Sequence, residues 1–521
     1  MTTLPQGEAQ PAAVADDGWR RLSVRMLLVH PVREVVRLFP LLVGVLFAGS
    51  STGRGGLWAL VGTGIAISLG VLRWFTTSYQ VAAERIQVRR GLLRRELVSV
   101  SLDRVRTVDI SASPLHRILG LVRVNVGTGL SDRKSENALQ LDGISAAAAE
   151  RLRDDVLRRH AAPAVAGAEE AVAAAGPAPA PAETVLAAAS PSWVGYGPFT
   201  LSGFLTVLFV LGFAWRIVSE AHLDAERLGE TTAGYLRLVG LPLAVELVGL
   251  ALVLLAVVAI ASTVGYVLAF WGFRLVRNGG GSLQVTRGLL STRSTTLEER
   301  RLRGVEISEP LLLRFARGAR CIAVATGLRV GRGAERGGTL LLPPAPGDEA
   351  RRVAVAVLGS ADPVTAPLVP HGPRAHRRRY TRMALAWAVV TVGLVVVSVA
   401  LPPLAWAWEL SPVLLALGLA LAYDRYRSLG HTLAGRFLVT SWGSLVRRRC
   451  MLATEGIIGW NLERSFFQRR AGLVTLVATT AAGRQRYAVQ DLPMEEALRV
   501  ADAALPDLLA PFLVREGDAP A

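Results

Sequence analysis

The sequence has few of the residues that build disulfide frameworks, metal sites and catalytic centres. It has two cysteines and seven histidines among 521 residues. Cys321 and Cys450 lie in separate strand-like runs, so we expect buried, reduced thiols. No histidine lies two to five residues from a Cys, Asp or Glu in a metal-like or triad-like arrangement within a plausible site. We therefore expect no metal, no cofactor and no catalytic residue, and a protein that is not an enzyme.

Charge is also scarce. Charged residues make up 19% of the chain and hydrophobic residues 51%, with a mean hydropathy of +0.38. This composition is typical of an integral membrane protein. The net charge is +17, and Lys134 is the only lysine, so arginine supplies nearly all positive charge. A basic balance can indicate nucleic-acid binding. Here the arginines flank apolar segments, which favours a membrane surface and no nucleic acid.

A motif recurs in the chain and defines its organisation. Residues 104–121 read RVRTVDISASPLHRILGL, and VDIS returns as VEIS at 305–308. Residues 465–473 repeat the Ser, Arg, Gly and Leu of residues 113–121 at the same spacing. A glycine followed closely by leucine precedes each copy, at Gly91, Gly288 and Gly443. Such internal repetition predicts one structural unit used three times.

Apolar stretches long enough to cross a bilayer precede each copy of the motif. They cover residues 35–49, 57–75, 193–218, 238–273, 383–401 and 404–423. Arginines flank each pair of stretches on the side that leads into the motif. The positive-inside rule then places all three repeats and both termini on the cytoplasmic side of the membrane. Residues 1–18 lack the basic start of a cleavable signal peptide.

The segments between the spans alternate in the manner of short strands and end in an amphipathic helix. These closing helices are predicted at residues 145–160, 349–358 and 494–505, with Ser145 as an N-cap. The predicted organisation is a tail and amphipathic flank (1–34), hairpin 1 (35–75), domain 1 (76–160), an Ala/Pro tether (161–190), hairpin 2 (191–273), domain 2 (274–360), a linker and basic flank (361–381), hairpin 3 (382–424), domain 3 (425–510) and a tail (511–521). The flank at 19–37 either lies on the inner membrane surface or is an ordinary basic flank.

The motif resembles the signature of bacterial pleckstrin-homology-like (bPH2-type) domains, and the chain resembles the YdbT-like membrane proteins, which carry three of them. The resemblance implies a membrane α plus β fold. In it, three transmembrane hairpins, six spans in all, are each followed by a pleckstrin-homology-like β-sandwich or barrel capped by a C-terminal helix. The signature positions are Arg104, Val108, Asp109, Pro114, Leu115, Arg117 and Gly120 in the first repeat, Arg301, Val305, Pro310 and Arg314 in the second, and Trp460, Arg469 and Gly472 in the third. The second repeat loses the Leu-Gly pair and displaces Pro310 by one residue, and the third has Phe466 where the first has Pro114.

Because the sequence offers no catalytic, metal or cofactor site, we expect the protein to act by binding. In eukaryotic relatives of the fold, basic loops at the open end of the sheets bind phosphoinositides. The candidate lipid- or partner-binding residues are Arg90, Arg94, Arg95, Arg447, Arg448 and Arg449, interpreted as two basic loops near the bilayer. The alternatives are a solvated loop that only obeys the positive-inside rule, and a peptide added to an exposed strand edge.

We therefore expect a non-catalytic membrane scaffold. Its expected partners are the lipid bilayer, anionic lipid head groups, and a protein, either a related membrane protein or a second copy. The resemblance points towards envelope stress or resistance to toxic peptides. The alternative is a component of a transport or export system with the domains as gates. Closely spaced glycines in the spans (Gly62, Gly64, Gly70) suit tight helix packing instead.

Overall fold

The computed structural model describes residues 20–21, 23–27, 29, 55–81, 85–90, 96–101, 107–127, 139–161, 183–200, 212, 243–327 and 340–506. The strands are β1 Arg20–Arg21, β2 Ser78–Val81, β3 Arg85–Arg90, β4 Glu96–Ser101, β5 Thr107–Ala112, β6 Leu121–Gly127, β7 Leu139–Ser145, β8 Thr184–Ala188, β9 Arg274–Asn278, β10 Ser282–Arg287, β11 Thr292–Glu298, β12 Leu302–Pro310, β13 Gly318–Ala325, β14 Leu340–Pro346, β15 Gly430–Ala434, β16 Phe437–Trp442, β17 Val446–Ala453, β18 Gly459–Glu463, β19 Leu473–Thr479 and β20 Arg486–Pro493.

The helices follow the same repeating order. They are α1 Gly55–Phe75, α2 Pro114–Ile118, α3 Ala146–Ala161, α4 Leu243–Phe270, α5 Leu311–Phe315, α6 Gly347–Leu358, α7 Asp362–Thr365, α8 Gly372–Ala400, α9 Ser411–Arg427, α10 Phe466–Ala471 and α11 Met494–Ala504. The predicted closing helices are confirmed as α3, α6 and α11. Ser145 is the N-cap of α3, since its hydroxyl accepts a hydrogen bond from the Ala148 amide at 3.3 Å.

The described residues fall into two compact units. The first unit takes residues 1–105, 112–128 and 134–167, and the second takes 106–111, 129–133 and 168–521. In the first unit, β1 to β4 form one antiparallel sheet in chain order. Strand β6 pairs with β7, and α3 packs against both. The alternation of the sequence directs Ile86, Val88, Val124 and Leu141 inwards, and all four are buried.

The N-terminal flank packs on the first unit. Met26 and Val29 are buried in a cluster with Trp74 and Leu121. The Trp74 indole donates a hydrogen bond to the Ser23 carbonyl at 3.1 Å. Met26 and Val29 therefore pack on protein, which does not fit the first of the two interpretations of the flank, an apolar face on the inner membrane surface.

Sheets in the second unit are shared between successive repeats. Strand β12 pairs with β13 of its own domain and with β17 of the next domain, in the order β14-β13-β12-β17-β16-β15. Strand β5, the signature strand of the first repeat, adds in the same way to β11, which continues to β10, β9 and β8. The domains are therefore not self-contained, because the signature strand of one repeat completes the first sheet of the next.

The shared sheet β12–β17 is buried on both faces. Alternate residues of β17 enter two different cores: Met451 packs in the core of domain 2, whereas Cys450 and Leu452 pack in that of domain 3. Strand β13 does the same, with Cys321 in the first core and Val324 in the second. Strands buried on both faces read as continuous apolar runs, as residues 321–325 of β13 and 450–453 of β17 do in this sequence.

The end of the predicted tether is ordered. Strand β8 pairs antiparallel with β9 at the edge of its sheet. Leu186 and Ala187 are buried in the core of domain 2, and the Arg352 guanidinium donates to the Leu186 carbonyl at 2.7 Å. The expectation of a flexible tether is thus wrong for residues 184–188, because small apolar side chains at the end of the Ala-rich run fill an open sheet edge.

Three of the described helices are long and apolar enough to cross a membrane, over Ala251–Phe270, Gly372–Ala400 and Leu404–Arg427. Their bounds correct the sequence analysis at three points. Residues Pro191–Phe199, predicted to open a span, form a 3-10 helix against α4. The predicted linker and basic flank contain α7 and the first turns of α8. Pro402–Leu410 forms a 3-10 helix between α8 and α9. The first predicted span and most of the third lie outside the described residues.

Gly304 permits the close approach of β12 to β17. A Cβ at this position would lie 2.1 Å from the Met451 carbonyl oxygen, and the φ of Gly304 is 159°. We predict that Gly304→Ala lowers the free energy of unfolding by roughly 1–3 kcal/mol, the usual range for forced overpacking. Urea unfolding of the purified protein measures the change.

Gly280→Ala is the matched control, because nothing lies within 4 Å of the added Cβ. Equal stability of the two variants would contradict the importance of this backbone contact.

Candidate functional site at the seams between domains

Two strand pairings join one repeat to the next, β5 with β11 and β12 with β17, and we call each of them a seam. Each seam contains a carboxylate from the signature strand. In the β12–β17 seam, Glu306 lies opposite Cys450, and Ser308 lies opposite Arg448. Glu306 is 2% exposed. The Arg484 guanidinium donates to its carboxylate at 3.2 Å, and Arg448 Nε lies 3.7 Å from the same oxygen. Two arginines of domain 3 therefore surround one acid of domain 2.

The seam between β5 and β11 repeats this arrangement. Arg293 Nε donates to the Asp109 carboxylate at 2.9 Å, and the Thr295 hydroxyl donates to it at 3.0 Å. Asp109 is the sequence equivalent of Glu306, and Arg293 is that of Arg448. The Asp/Glu of the motif is thus a docking residue that pairs with an arginine of the following repeat.

Burial dominates the electrostatics of the second seam. Burial raises the pKa of Glu306, and the charges of Arg484 and Arg320 offset this only in part. Burial also raises the pKa of the Cys321 and Cys450 thiols. Both cysteines are free and buried, which confirms the expected reduced thiols and makes them poor nucleophiles.

The candidate arginines 447–449 do not form an exposed loop, so that interpretation is wrong. They lie in β17, where Arg447 pairs with Asp424 at 3.0 Å and Arg448 lies beside Glu306. Arg449 donates to the Ala366 carbonyl at 2.7 Å. Arg90 ends β3, while Arg94 and Arg95 lie outside the described residues.

Most signature residues shape the turn after the signature strand. Pro114 begins α2, which the Ser113 side chain caps, and Pro310 is the N-cap of α5. Gly120 and Gly472 end the short helices in the left-handed region, at φ of 68° and 65°. Of the remaining signature positions, Val108 and Val305 are buried, and Leu115 is 37% exposed. Arg117 and Arg469 lie in the last turns of α2 and α10, Arg301 pairs with Glu298, and Arg314 pairs with Asp424. Trp460 lies in β18, and Arg104 is outside the described residues.

A polar bridge behind the short helix was missed from the sequence. In the first unit, His116 is 1% exposed and lies 3.0 Å from Asp142, which Arg123 also contacts at 2.8 Å. Burial raises the pKa of Asp142, but the hydrogen bonds from His116 and Arg123 outweigh it and hold this pKa well below its usual range. In domain 3, Gln468 replaces the histidine and donates to Asp491 at 2.9 Å. The one sequence signal for this bridge was that His116 and Gln468 occupy equivalent positions on the short helices of the first and third repeats.

A cavity of about 380 Å³ lies between domain 3 and the domain-side ends of α8 and α9. Arg378 and Arg382 of α8 and Arg425 of α9 line it. Asp491 is fully buried beneath it and forms ion pairs with Arg378 and with Arg379. Arg378 of the predicted basic flank before hairpin 3 and Arg382, which directly follows that flank, therefore line a cavity.

A histidine pair fixes the start of α8 to domain 3. His371 Nδ1 lies 2.6 Å from the Gln490 carbonyl, and its Nε2 lies 3.1 Å from His431. Burial, followed by the charge of His431, lowers the pKa of His371 to about 4. Burial also lowers the pKa of His431, although Glu496 opposes this.

Comparison with known proteins agrees with this arrangement. Two regions of the chain match the family Bacterial PH domain, residues 34–160 and 383–506. These two regions are therefore similar to bacterial PH domains. Each match covers a predicted hairpin together with the domain that follows it. Residues 274–360 lie outside both matches, in keeping with the departures of the second repeat from the motif, yet they form the same succession of strands and closing helix.

The chain is also similar to the transmembrane protein YdbT of Bacillus subtilis (strain 168). The two are 24% identical over 95 residues, which is 18% of this chain and 19% of YdbT. The match thus spans about a fifth of that relative. No solved structure matches the chain. Together with the apolar helices, these findings confirm the resemblance to a YdbT-like membrane protein with bacterial PH domains.

Removing the seam carboxylate tests its structural role. We predict that Glu306→Ala destabilises the protein by about 3–5 kcal/mol, because it leaves arginines at the seam without their acid. Glu455→Ala is the control, because Glu455 and Arg436 are 63% and 64% exposed. An exposed pair contributes about 0–1 kcal/mol. Denaturant unfolding of both variants decides the point, and similar losses would contradict a special role for Glu306.

The histidine pair predicts a pH dependence. The pKa of His371 is about 4 when folded against 6.5 unfolded, so the unfolded chain binds the proton more readily. Stability is therefore complete above pH 6.5 and falls as the pH drops towards 4. At pH 5 the loss is about 2 kcal/mol. The difference in unfolding free energy between pH 7.5 and 5, measured for the native protein and for His371→Gln, isolates this contribution. An identical pH dependence in the variant would disprove it.

Proposed function

We propose that the protein is a non-catalytic scaffold in the bacterial plasma membrane, with six spans and its PH domains in the cytoplasm. The scaffold binds a PH-like domain of another chain through the edge of β18. The observation that carries this proposal is the shared sheet. The chain uses the signature strand as a docking edge twice, in β5 with β11 and in β12 with β17.

The third signature strand has no such neighbour among the described residues. Strand β18 is the outer strand of the sheet β18-β19-β20. An exposed strand edge presents backbone donors and acceptors that another strand can pair with. If the pairing of the two internal signature strands is repeated here, a further PH-like domain pairs with the open edge of β18.

The side chains of β18 suit an apolar contact. Ile458, just before the strand, is 66% exposed, and Leu462 is 39% exposed. The Trp460 indole nitrogen is buried without a hydrogen-bond partner among the described residues. Asn461 stands where Asp109 and Glu306 stand in the other repeats. Docking here therefore buries no acid at this position, whereas each internal seam buries one that needs an arginine partner.

Site-specific photocrosslinking in cells tests this edge. We expect a benzophenone amino acid at Leu462 to form an adduct with a second chain. Peptide mass spectrometry should map that adduct to the third strand of a PH-like domain, the class of strand to which β11 and β17 belong. A probe at Asp502, exposed on α11, is the control and should give no such adduct.

The identity of the captured strand distinguishes the partners. A peptide of this same chain indicates a homo-oligomer, and one from another PH-domain protein indicates a related membrane protein; both support the proposal. Adducts no stronger than at Asp502, or adducts outside PH-like domains, overturn it. Substrate-specific flux through liposomes that contain the purified protein would support the transport alternative instead.

A further inference from the structure

The arginine cavity has features that the seams and the β18 edge do not explain. Arg378 lies inwards, with its side chain 11% exposed, and its charge is met by the buried Asp491. Arg382 and Arg425 are exposed at the opening. Neither forms an ion pair with any acid in the described part of the chain. Two acids also line the cavity, but both are already paired: Glu463 with Arg486, and Asp491 with Arg378 and Arg379. The two cations at the opening, from two different helices, are therefore left without an ion-pair partner in the described part of the chain.

These cations act on one another. The charges of Arg378 and Arg425 both repel that of Arg382, and only Asp491 attracts it. Asp491 is already engaged by Arg378, Arg379 and Gln468. A cluster of like charges around a cavity is stabilised by a bound anion. Guanidinium groups match the oxygen geometry of phosphate in particular.

The place of the cavity indicates where that phosphate comes from. Arg382 precedes the apolar part of α8, and Arg425 lies in the last turn of α9, so both stand where membrane helices meet the domain. On the domain side, Ser465 and Gln468 line the cavity, and the adjoining Phe466 and Phe467 are 58% and 59% exposed. Exposed aromatics beside arginines at the end of a span are typical of contact with the lipid interface.

We propose that this cavity binds the phosphate of an anionic phospholipid head group. Arg382 and Arg425 contact the phosphate oxygens from two sides. The Ser465 hydroxyl stands on the domain side of the same cavity, and Phe466 and Phe467 rest against the acyl-chain boundary. The bound lipid connects hairpin 3 to domain 3. The inference is independent of the partner at β18, because neither arginine belongs to that strand.

Native mass spectrometry of the full chain in detergent, titrated with phosphatidylglycerol, tests the site. We expect one lipid to be retained, and Arg382→Gln/Arg425→Gln to weaken that retention by about tenfold, the loss expected for removing charge-assisted hydrogen bonds. The matched control is Arg377→Gln/Arg427→Gln. It removes the same charge from the same helices at exposed positions that do not line the cavity. This control should change retention by less than about twofold.

Two further measurements complete the test. Thermal unfolding without lipid should be the same for both double variants, and a melting shift with phosphatidylglycerol should be lost only in Arg382→Gln/Arg425→Gln. Equal weakening in both double variants means general attraction to an anionic surface and overturns the site. If inorganic phosphate stabilises the protein as well as phosphatidylglycerol does, the ligand is a soluble phosphate and the lipid assignment is wrong.

Discussion

Strand pairing across repeat boundaries is the constraint on which the second unit depends. Once β12 pairs with β17, neither domain can close its sheets alone, and both cores must form together. Met451, Cys450 and Leu452 fill two cores from one strand, so loss of the pairing would expose apolar surface on both sides. Such coupling makes stability a property of neighbouring repeats, as in solenoid proteins.

The buried acid of the signature strand gives that pairing its direction. Glu306 contacts arginines of the following repeat, as Asp109 does. A buried ion pair contributes little net stability compared with apolar packing, but an unmatched buried charge is costly. The acid therefore selects a partner strand that carries an arginine. At β18 the acid is replaced by Asn461, which removes this selection at the free end of the series.

The membrane helices are joined to domain 3 by polar contacts at their ends. Asp424 of α9 pairs with Arg314 of domain 2 and Arg447 of β17. His371, at the start of α8, contacts β20 and β15. The second seam, hairpin 3 and the arginine cavity thus form one connected region.

Local rules in the sequence determined the repeat, the apolar segments, the closing helices and the turns at Pro114 and Gly472. Hydrophobic periodicity, helix capping and the preference of glycine for the left-handed region each depend on a few neighbouring residues, so the sequence alone indicates them. Tertiary structure alone decided that Asp109 meets Arg293, that residues 447–449 form a seam strand, and that Arg382 and Arg425 share a cavity. Each of these contacts joins residues that are far apart in the chain. Which strand edges pair with each other depends on the closure of both sheets, and no local sequence pattern predicts it.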